Sequence, residues 1–165
     1  MSSTPRLGLP FLSAGQAQKE VFHNEALQTL DLIVAGAVEG LPQPSPPASP
    51  AIGDCYLIDD APTGLWVGAA QNLAAFTSAG WRFVAPREGM VFYIRSTGTF
   101  AAFRAGNWEV GEMRGSSVII DGQQVVGGQA AAIASPVGGA SIDTQARAVI
   151  DQILVAMRQH GLIAP

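Results

Sequence analysis

Apolar residues recur with helical spacing near the start of the chain. At 100° per residue one face over residues 13–37 is formed by Phe22, Ala26, Leu27, Leu30, Ile33, Val34 and Ala37. Three polar side chains, Gln16, Lys19 and His23, continue the same face one or two turns earlier. The pattern predicts an amphipathic helix over residues 13–37, with an apolar stripe and a polar extension at its N-terminal end.

The segment after this helix is rich in proline. Residues 41–52 contain Pro42, Pro44, Pro46, Pro47 and Pro50. Proline lacks an amide hydrogen and therefore interrupts helices and central strands. We expect an extended spacer here that packs little into a core and sets the distance between the N-terminal region, residues 1–40, and the rest of the chain.

Residues 53–114 have the short apolar runs of antiparallel strands, and they contain a weak duplication. GDCYLI at 53–58 resembles GMVFYI at 89–94, and LAAFTSAGWRFV at 73–84 resembles TFAAFRAGNWEV at 99–110. Each copy predicts two or three short strands, the last carrying a tryptophan. Because a single hairpin is marginally stable in water, the two units are expected to share a core. The fold class predicted is α+β, with a small antiparallel β domain of two related hairpin units.

Residues 115–141 are rich in glycine and alanine and carry one charged residue, Asp121. The sequence VIIDGQQVV predicts a hairpin, since the pair Asp121-Gly122 favours a type I′ turn. The rest of the segment is too apolar for an ordinary exposed loop. We interpret it as a hairpin and connection that lies between subunits.

A C-terminal helix is predicted within residues 142–165, with Asp143 as its N-cap and Gly161 at its end. Its apolar residues Ala146, Ile150, Ile153 and Met157 recur at intervals of 4, 3 and 4. This is a short heptad seam, typical of a helix in an oligomeric bundle or docked on a sheet.

Composition adds a further indication of assembly. The 165 residues carry a net charge of −4, only 13% are charged and 48% are hydrophobic. So few charges cover the surface of a monomer poorly, which favours a homo-oligomer or a larger assembly. The acidic balance argues against nucleic acid, and no apolar run reaches the roughly 18–20 residues that span a bilayer. We interpret the single cysteine, Cys55, as a small buried hydrophobic residue.

The HNE sequence at residues 23–25 raises the question of catalysis or metal binding. A zinc helix needs further ligands on the face of His23, and the other histidine, His160, lies far away in the sequence. No G-x-S-x-G or G-x-G-x-x-G motif is present. We therefore predict no catalytic residue, no metal and no cofactor, and interpret His23 as a buried structural residue that hydrogen bonds.

Two alternatives stay open. A capsule-degrading glycoside hydrolase needs only two suitably spaced carboxylates; candidates are Asp54, Asp59, Asp60, Glu88, Glu109 and Glu112. A stand-alone carbohydrate-binding module needs an exposed aromatic platform, for which Trp66 is the candidate glycan contact. Trp81 and Trp108 occupy equivalent places in the two repeats and are expected in the core.

Several stretches together resemble a known family. LGLPFLSAGQAQKEVFHNEALQTLD, PPASPAIGDCYLI, TGLWVG, GWRFVAPREG and GGASIDTQARAVIDQILVAMRQHGLI are similar, in this order, to a family of unknown function. Its members occur in prophages and gene transfer agents of alphaproteobacteria, among tail-fibre and head-spike genes. The resemblance covers almost the whole chain, and its most specific part is the N-terminal QAQKEV-HNEAL-LD string.

The resemblance implies a non-enzymatic virion protein, a base or adaptor of a head spike or tail fibre. Residues 1–40 would then attach the chain or join copies of it. Candidate interface residues are Gln16, Lys19, His23, Ile150, Ile153 and Met157. The partners implied are further copies of the chain, other virion proteins and, directly or through a fibre, host capsular polysaccharide. The protein would reside in the virion, and in the bacterial cytoplasm during assembly.

Overall fold

The computed structural model describes residues 3–13, 15, 19–141 and 143–165. The fold is α+β, as predicted, with helices α1 (Lys19–Val34) and α2 (Thr144–Gln159) and three sheets among the described residues. The chain divides into unit 1, residues 1–112, and unit 2, residues 113–165. The predicted N-terminal region, the spacer and the β domain up to residue 112 fall in unit 1, while residues 113–114 and the two C-terminal segments fall in unit 2.

Unit 1 contains two sheets. Its strands are β1 (Ala37–Val38), β2 (Cys55–Leu57), β3 (Leu73–Thr77), β4 (Gly80–Val84), β5 (Val91–Ile94), β6 (Thr99–Arg104) and β7 (Asn107–Val110). One sheet has the order β1-β5-β6-β7 and the other β2-β3-β4. Neighbouring strands are antiparallel except β1 and β5, which run parallel with Ala37 opposite Tyr93.

The predicted duplication is confirmed in the strand pairing. Strands β2-β3-β4 and β5-β6-β7 are two three-stranded meanders with the same connectivity. In the first, Phe76 pairs with Trp81 at a ring-centroid distance of 5.1 Å, and in the second Phe103 pairs with Trp108, also at 5.1 Å. The same cross-strand aromatic pair therefore joins the second and third strands of each repeat.

Side chains from both sheets and from α1 share one core. Its buried members are Leu32, Val38, Cys55, Leu57, Leu73, Ala75, Phe92, Ile94, Ala101 and Trp108. The two hairpin units thus pack together, as expected from their small size. The indole N–H of Trp108 donates to the carbonyl of Gln71 at 2.8 Å, so this buried polar atom is satisfied.

A second cluster lies on the other face of the β2-β3-β4 sheet. It contains Tyr56, Ile58, Trp66, Ala69 and Ala74, with Trp81 packed against it. Trp66 comes from a short 3-10 helix, Gly64–Trp66, in the segment between β2 and β3. All three residues of β2 are buried, because this segment covers one face of the strand and the shared core covers the other.

Helix α1 is shorter than the predicted span of residues 13–37. It ends at Val34, and Gly36 has a φ of +55°, a left-handed conformation that suits glycine after a helix end. Ala37 has already entered β1. At the other end, Ser13 is not helical and Gln16 lies outside the described residues.

The proline-rich segment, residues 41–52, is not the free spacer that we expected. Gln43 forms a parallel bridge with Ile58, donating its amide to the carbonyl of Leu57 at 3.0 Å. The carbonyl of Pro44 accepts from the amide of Thr63 at 2.8 Å. Prolines keep their carbonyl oxygens, so a proline-rich chain can still accept hydrogen bonds along a neighbouring segment.

Unit 2 contains the hairpin of β8 (Val118–Ile120) and β9 (Gln123–Val126), together with α2. Asp121 and Gly122 both have positive φ, +48° and +76°, which confirms the predicted type I′ turn. Asp143 caps α2 as predicted, its carboxylate accepting from the amide of Ala146 at 2.9 Å. Gly161 has a φ of +68° and ends the helix, with its amide bonded to the carbonyl of Arg158 at 2.9 Å.

Cys55 gives the shared core a measurable pH dependence. Burial raises the pKa of its thiol from 9.0 to about 11, although the neighbouring Arg6 guanidinium acts in the opposite direction. The folded state therefore holds the thiol proton to higher pH than the unfolded state does. This contribution to stability is complete below pH 9 and is lost as the pH approaches 11.

We expect the unfolding free energy of the wild type to fall, relative to that of Cys55→Ala, by on the order of 2 kcal/mol across this interval. Urea unfolding of both proteins at several pH values measures the difference. Tyr56, whose pKa burial raises to about 12, titrates in both proteins and cancels. Parallel stability curves for the two proteins would show that the thiol is not buried as described.

Candidate assembly surfaces

An N-terminal strap, residues 3–13, runs beside α1. Ser3 and Pro10 form an antiparallel bridge, and the amide of Thr4 donates to the carbonyl of Leu9 at 2.9 Å. Arg6 fixes the strap to β1 because its guanidinium donates to the carbonyl of Ala37 at 2.6 Å. The strap is therefore an ordered part of unit 1.

The carboxylate of Asp31 ties the strap to α1. Asp31 is fully buried and accepts from the hydroxyl of Thr4 at 2.7 Å. It also accepts from the backbone amides of Arg6, at 3.1 Å, and Leu7, at 2.6 Å. A buried carboxylate is tolerated when several donors replace its water, and here three do so.

Two further polar contacts hold the same side of the helix. The side chain of Asn24 both accepts from the amide of Leu12, at 2.9 Å, and donates to its carbonyl, at 3.1 Å. Glu25 pairs with Arg82 of β4 at 3.6 Å. Helix α1 thus packs on the rest of unit 1 through these polar side chains and through Leu32, which lies in the shared core.

The consequence is that part of the apolar face predicted for α1 points away from the rest of unit 1. Four residues on this face follow each other at i, i+4 spacing, and we call them the outer stripe: Phe22, Ala26, Leu30 and Val34. All four are exposed, Phe22 to 76% and Val34 to 66%. An amphipathic helix normally turns such a stripe toward its own core. Its exposure marks a surface that is suited to cover by another protein.

The predicted interface residues of the N-terminal region lie beside this stripe where they are described. Lys19 and His23 are both exposed on the same side of the helix, and Gln16 lies outside the described residues. Our expectation that His23 is buried within the chain is wrong, because the helix face that carries it points outward. Its role between chains stays a prediction.

The predicted seam of α2 is also accessible. Ile150 and Ile153 are exposed, and Met157 is partly buried. An adjacent side of the helix is occupied, since Leu154 is buried and Arg158 donates to the carbonyl of Ile133 at 2.6 Å. Arg147 binds the carbonyls of Pro136 and Gly138 in the same way.

Trp66 does not form the glycan platform considered from the sequence. Its side chain has 0% exposure and packs edge-on against Trp81 at a ring-centroid distance of 5.1 Å. A sugar ring cannot stack on a fully buried indole. Trp108 lies in the core as expected, and Trp81 packs against the second cluster.

Several of the carboxylates considered for hydrolysis hold turns and strands in place. Asp54 accepts from the amide of Ala51 at 2.8 Å, and Asp59 from that of Ala61 at 2.9 Å. Glu109 pairs with Arg104 at 3.0 Å. Within the described part of the chain, no group of three or more potential metal ligands occurs, and no helix is long and apolar enough to cross a membrane.

Sequence reasoning missed Asp31, which sets the orientation of α1. A signal was present, because Asp31 lies on the side of the helix opposite the apolar stripe, one turn or two from Asn24 and Leu27. The partners of Asp31 are in the strap, 24 to 27 residues earlier, and no periodic pattern connects them.

Replacing Asp31 tests this anchor. Asp31→Ala leaves three donors without their acceptor, so we expect a loss of about 2–4 kcal/mol in the unfolding free energy of unit 1. Asp31→Asn keeps an acceptor oxygen and should lose less. The matched control is Glu25→Ala on the same helix, expected to lose less than about 1 kcal/mol because its ion pair is exposed. Urea unfolding measures all three; equal losses for Asp31→Ala and Glu25→Ala would contradict the anchor.

Comparison with known proteins places unit 1 in a family. No curated protein and no solved structure matches the chain. A family described as "Protein of unknown function (DUF2793)" matches residues 23–109, which run from α1 through β7. The match therefore includes three residues of the outer stripe, Ala26, Leu30 and Val34, and both meanders up to Glu109, and it ends before unit 2, a narrower span than the resemblance had suggested. The chain belongs to this family, the DUF2793 proteins of unknown function.

Proposed function

We propose that this chain is a non-enzymatic structural component of a phage-like particle, the base or adaptor of a head spike or tail fibre. The observation that supports this most directly is the outer stripe of α1, which is held outward by polar docking on the opposite side. A helix fixed in this way offers a rigid apolar ridge to a neighbouring protein. The sequence resemblance to prophage and gene transfer agent proteins supports the particle as the setting.

In this proposal the chain acts as a homo-oligomer among other virion proteins. The outer stripe attaches unit 1 to a capsid, baseplate or fibre protein. The chain contributes to attachment to host capsular polysaccharide, either directly or through a fibre partner. It resides in the virion after assembly in the bacterial cytoplasm, and it binds neither nucleic acid nor membrane.

The stripe is large enough to supply useful binding energy. Complete burial of a Phe, Leu or Val side chain contributes about 1.5–3 kcal/mol, and Phe22, Leu30 and Val34 all remain largely exposed. Lys19 and His23 lie beside the stripe and would supply directional hydrogen bonds. Such polar groups fix the register of an interface more than they strengthen it.

Incorporation into particles tests the proposal. The tagged chain is expressed in a bacterium induced to release its particles, and the particles are separated on a density gradient. We expect the wild type to co-migrate with the particles and Phe22→Gln/Leu30→Gln to be at least about tenfold depleted, because two apolar contacts are lost.

The matched control is Val21→Gln on the same helix. Val21 is also an exposed apolar residue, at 53%, but it lies off the outer stripe, so this variant should be incorporated like the wild type. Both variants should retain the melting temperature of unit 1, since the replaced side chains are exposed. Absence of the wild type from particles would overturn the particle role, and equal incorporation of both variants would overturn the role of the stripe.

A further inference from the structure

Unit 2 has an ordered backbone but almost no core of its own. Of the described residues in 113–165, the buried hydrophobic ones are Leu154 and Ile163. Even a globular domain somewhat larger than this is marginally stable with a complete core. Backbone hydrogen bonds hold the unit together. For example, the amide of Ala130 donates to the carbonyl of Leu162 at 2.9 Å, and the amide of Ala164 donates to the carbonyl of Ala130 at 2.8 Å.

The β8–β9 hairpin shows the deficit most clearly. Its exposed hydrophobic side chains are Val118, Ile119, Ile120, Val125 and Val126. Successive residues of a strand point to opposite faces, so both faces of this hairpin are apolar. Among the described residues, β8 and β9 pair only with each other. An isolated hairpin of this kind is marginal in water and needs cover on both faces.

Helix α2 carries a second uncovered surface. We use the name α2 seam for the residues Ala146, Ile150, Ile153 and Met157. Ile150 is 43% and Ile153 53% exposed, and residues 133–138, whose carbonyls are bound by Arg147 and Arg158, lie against an adjacent side of the helix. The 4, 3, 4 spacing of the seam suits knobs-into-holes packing against a helix with the same spacing.

The exposed area is consistent with a missing partner surface. The chain exposes 10664 Å². Two globular proteins of the sizes of units 1 and 2, fully separated, would together expose about 9,200 Å². The difference, about 1,500 Å², is in the range of about 1,000–2,500 Å² that one partner buries in an obligate interface.

We propose that unit 2 is a self-association module, in which the α2 seam packs against the α2 seam of a second copy and the β8–β9 hairpin is covered in the same assembly. The seam is self-complementary in its spacing. Residues 116–142, which include the β8–β9 hairpin, contain one charged residue, Asp121, so the hairpin offers no charge pattern to an oppositely charged partner. A unit without a core needs its partner whenever it folds, and the partner always present is another copy.

This inference deepens the homo-oligomer of the proposed function and does not depend on the particle. The test is sedimentation velocity and light scattering of the purified full chain alone, over concentrations from about 0.1 to 50 µM. We expect a mass that is a multiple of 17.1 kDa. Ile150→Glu/Ile153→Glu should weaken self-association at least about 100-fold, because it places two charges in an apolar seam.

The matched control is Gln145→Glu/Gln152→Glu, which adds the same charge on an exposed side of α2 away from the seam. It should associate like the wild type, as should Phe22→Gln/Leu30→Gln, since the outer stripe serves a different contact. Protection of the Cys55 thiol from alkylation reports that unit 1 stays folded in every variant.

Three outcomes would overturn the proposal. The first is a 17.1 kDa monomer for the wild type at every concentration, and the second is unchanged association of Ile150→Glu/Ile153→Glu. The third is a wild type that remains monomeric alone but binds a different particle protein through unit 2. None of these depends on whether the chain is found in particles, so failure of the particle role is a separate result.

Discussion

The buried carboxylate of Asp31 determines which side of α1 faces solvent. Its three donors belong to the strap, so the helix must turn this residue inward to keep the carboxylate hydrogen bonded. The opposite side of the same helix carries Phe22, Leu30 and Val34, which are consequently exposed. Packing the apolar side inward instead would turn Asp31 away from the strap and leave the hydroxyl of Thr4 and the amides of Arg6 and Leu7 without their acceptor, so these three donors favour the observed orientation.

The sequence predicted features whose signals are local. The type I′ turn at Asp121-Gly122, the cap at Asp143 and the end of α2 at Gly161 each depend on a few adjacent residues. The duplication was visible because each meander repeats its own aromatic pair, Phe76 with Trp81 and Phe103 with Trp108. These features follow from backbone conformation and from contacts between neighbouring strands, and both are written into short stretches of sequence.

Features that depend on distant contacts were not predicted. The orientation of α1 follows from a strap that carries no periodic pattern, and the place of residues 41–52 follows from carbonyl acceptors that composition does not reveal. Trp66 looked accessible because its glycine-rich surroundings resemble a loop. Its burial comes from the way that loop folds back over Tyr56 and Trp81, a contact that no local signal specifies. Hydrophobic periodicity identifies a helix face but does not say whether the same chain covers it.

The low charge of the chain and its exposed apolar surfaces have a common cause. Arginines that would ordinarily solvate a surface bind groups within their own unit: Arg6, Arg82, Arg95, Arg104, Arg147 and Arg158. In unit 2, Arg147 and Arg158 bind backbone carbonyls of residues 133–138 and order this segment on one side of α2. The α2 seam is left without charge. The charged groups thus build the frame of each unit, and the surfaces left over are apolar. Burial of such surfaces lowers the free energy of the protein only when another chain covers them. The use of the few charged groups within each unit therefore also favours its assembly.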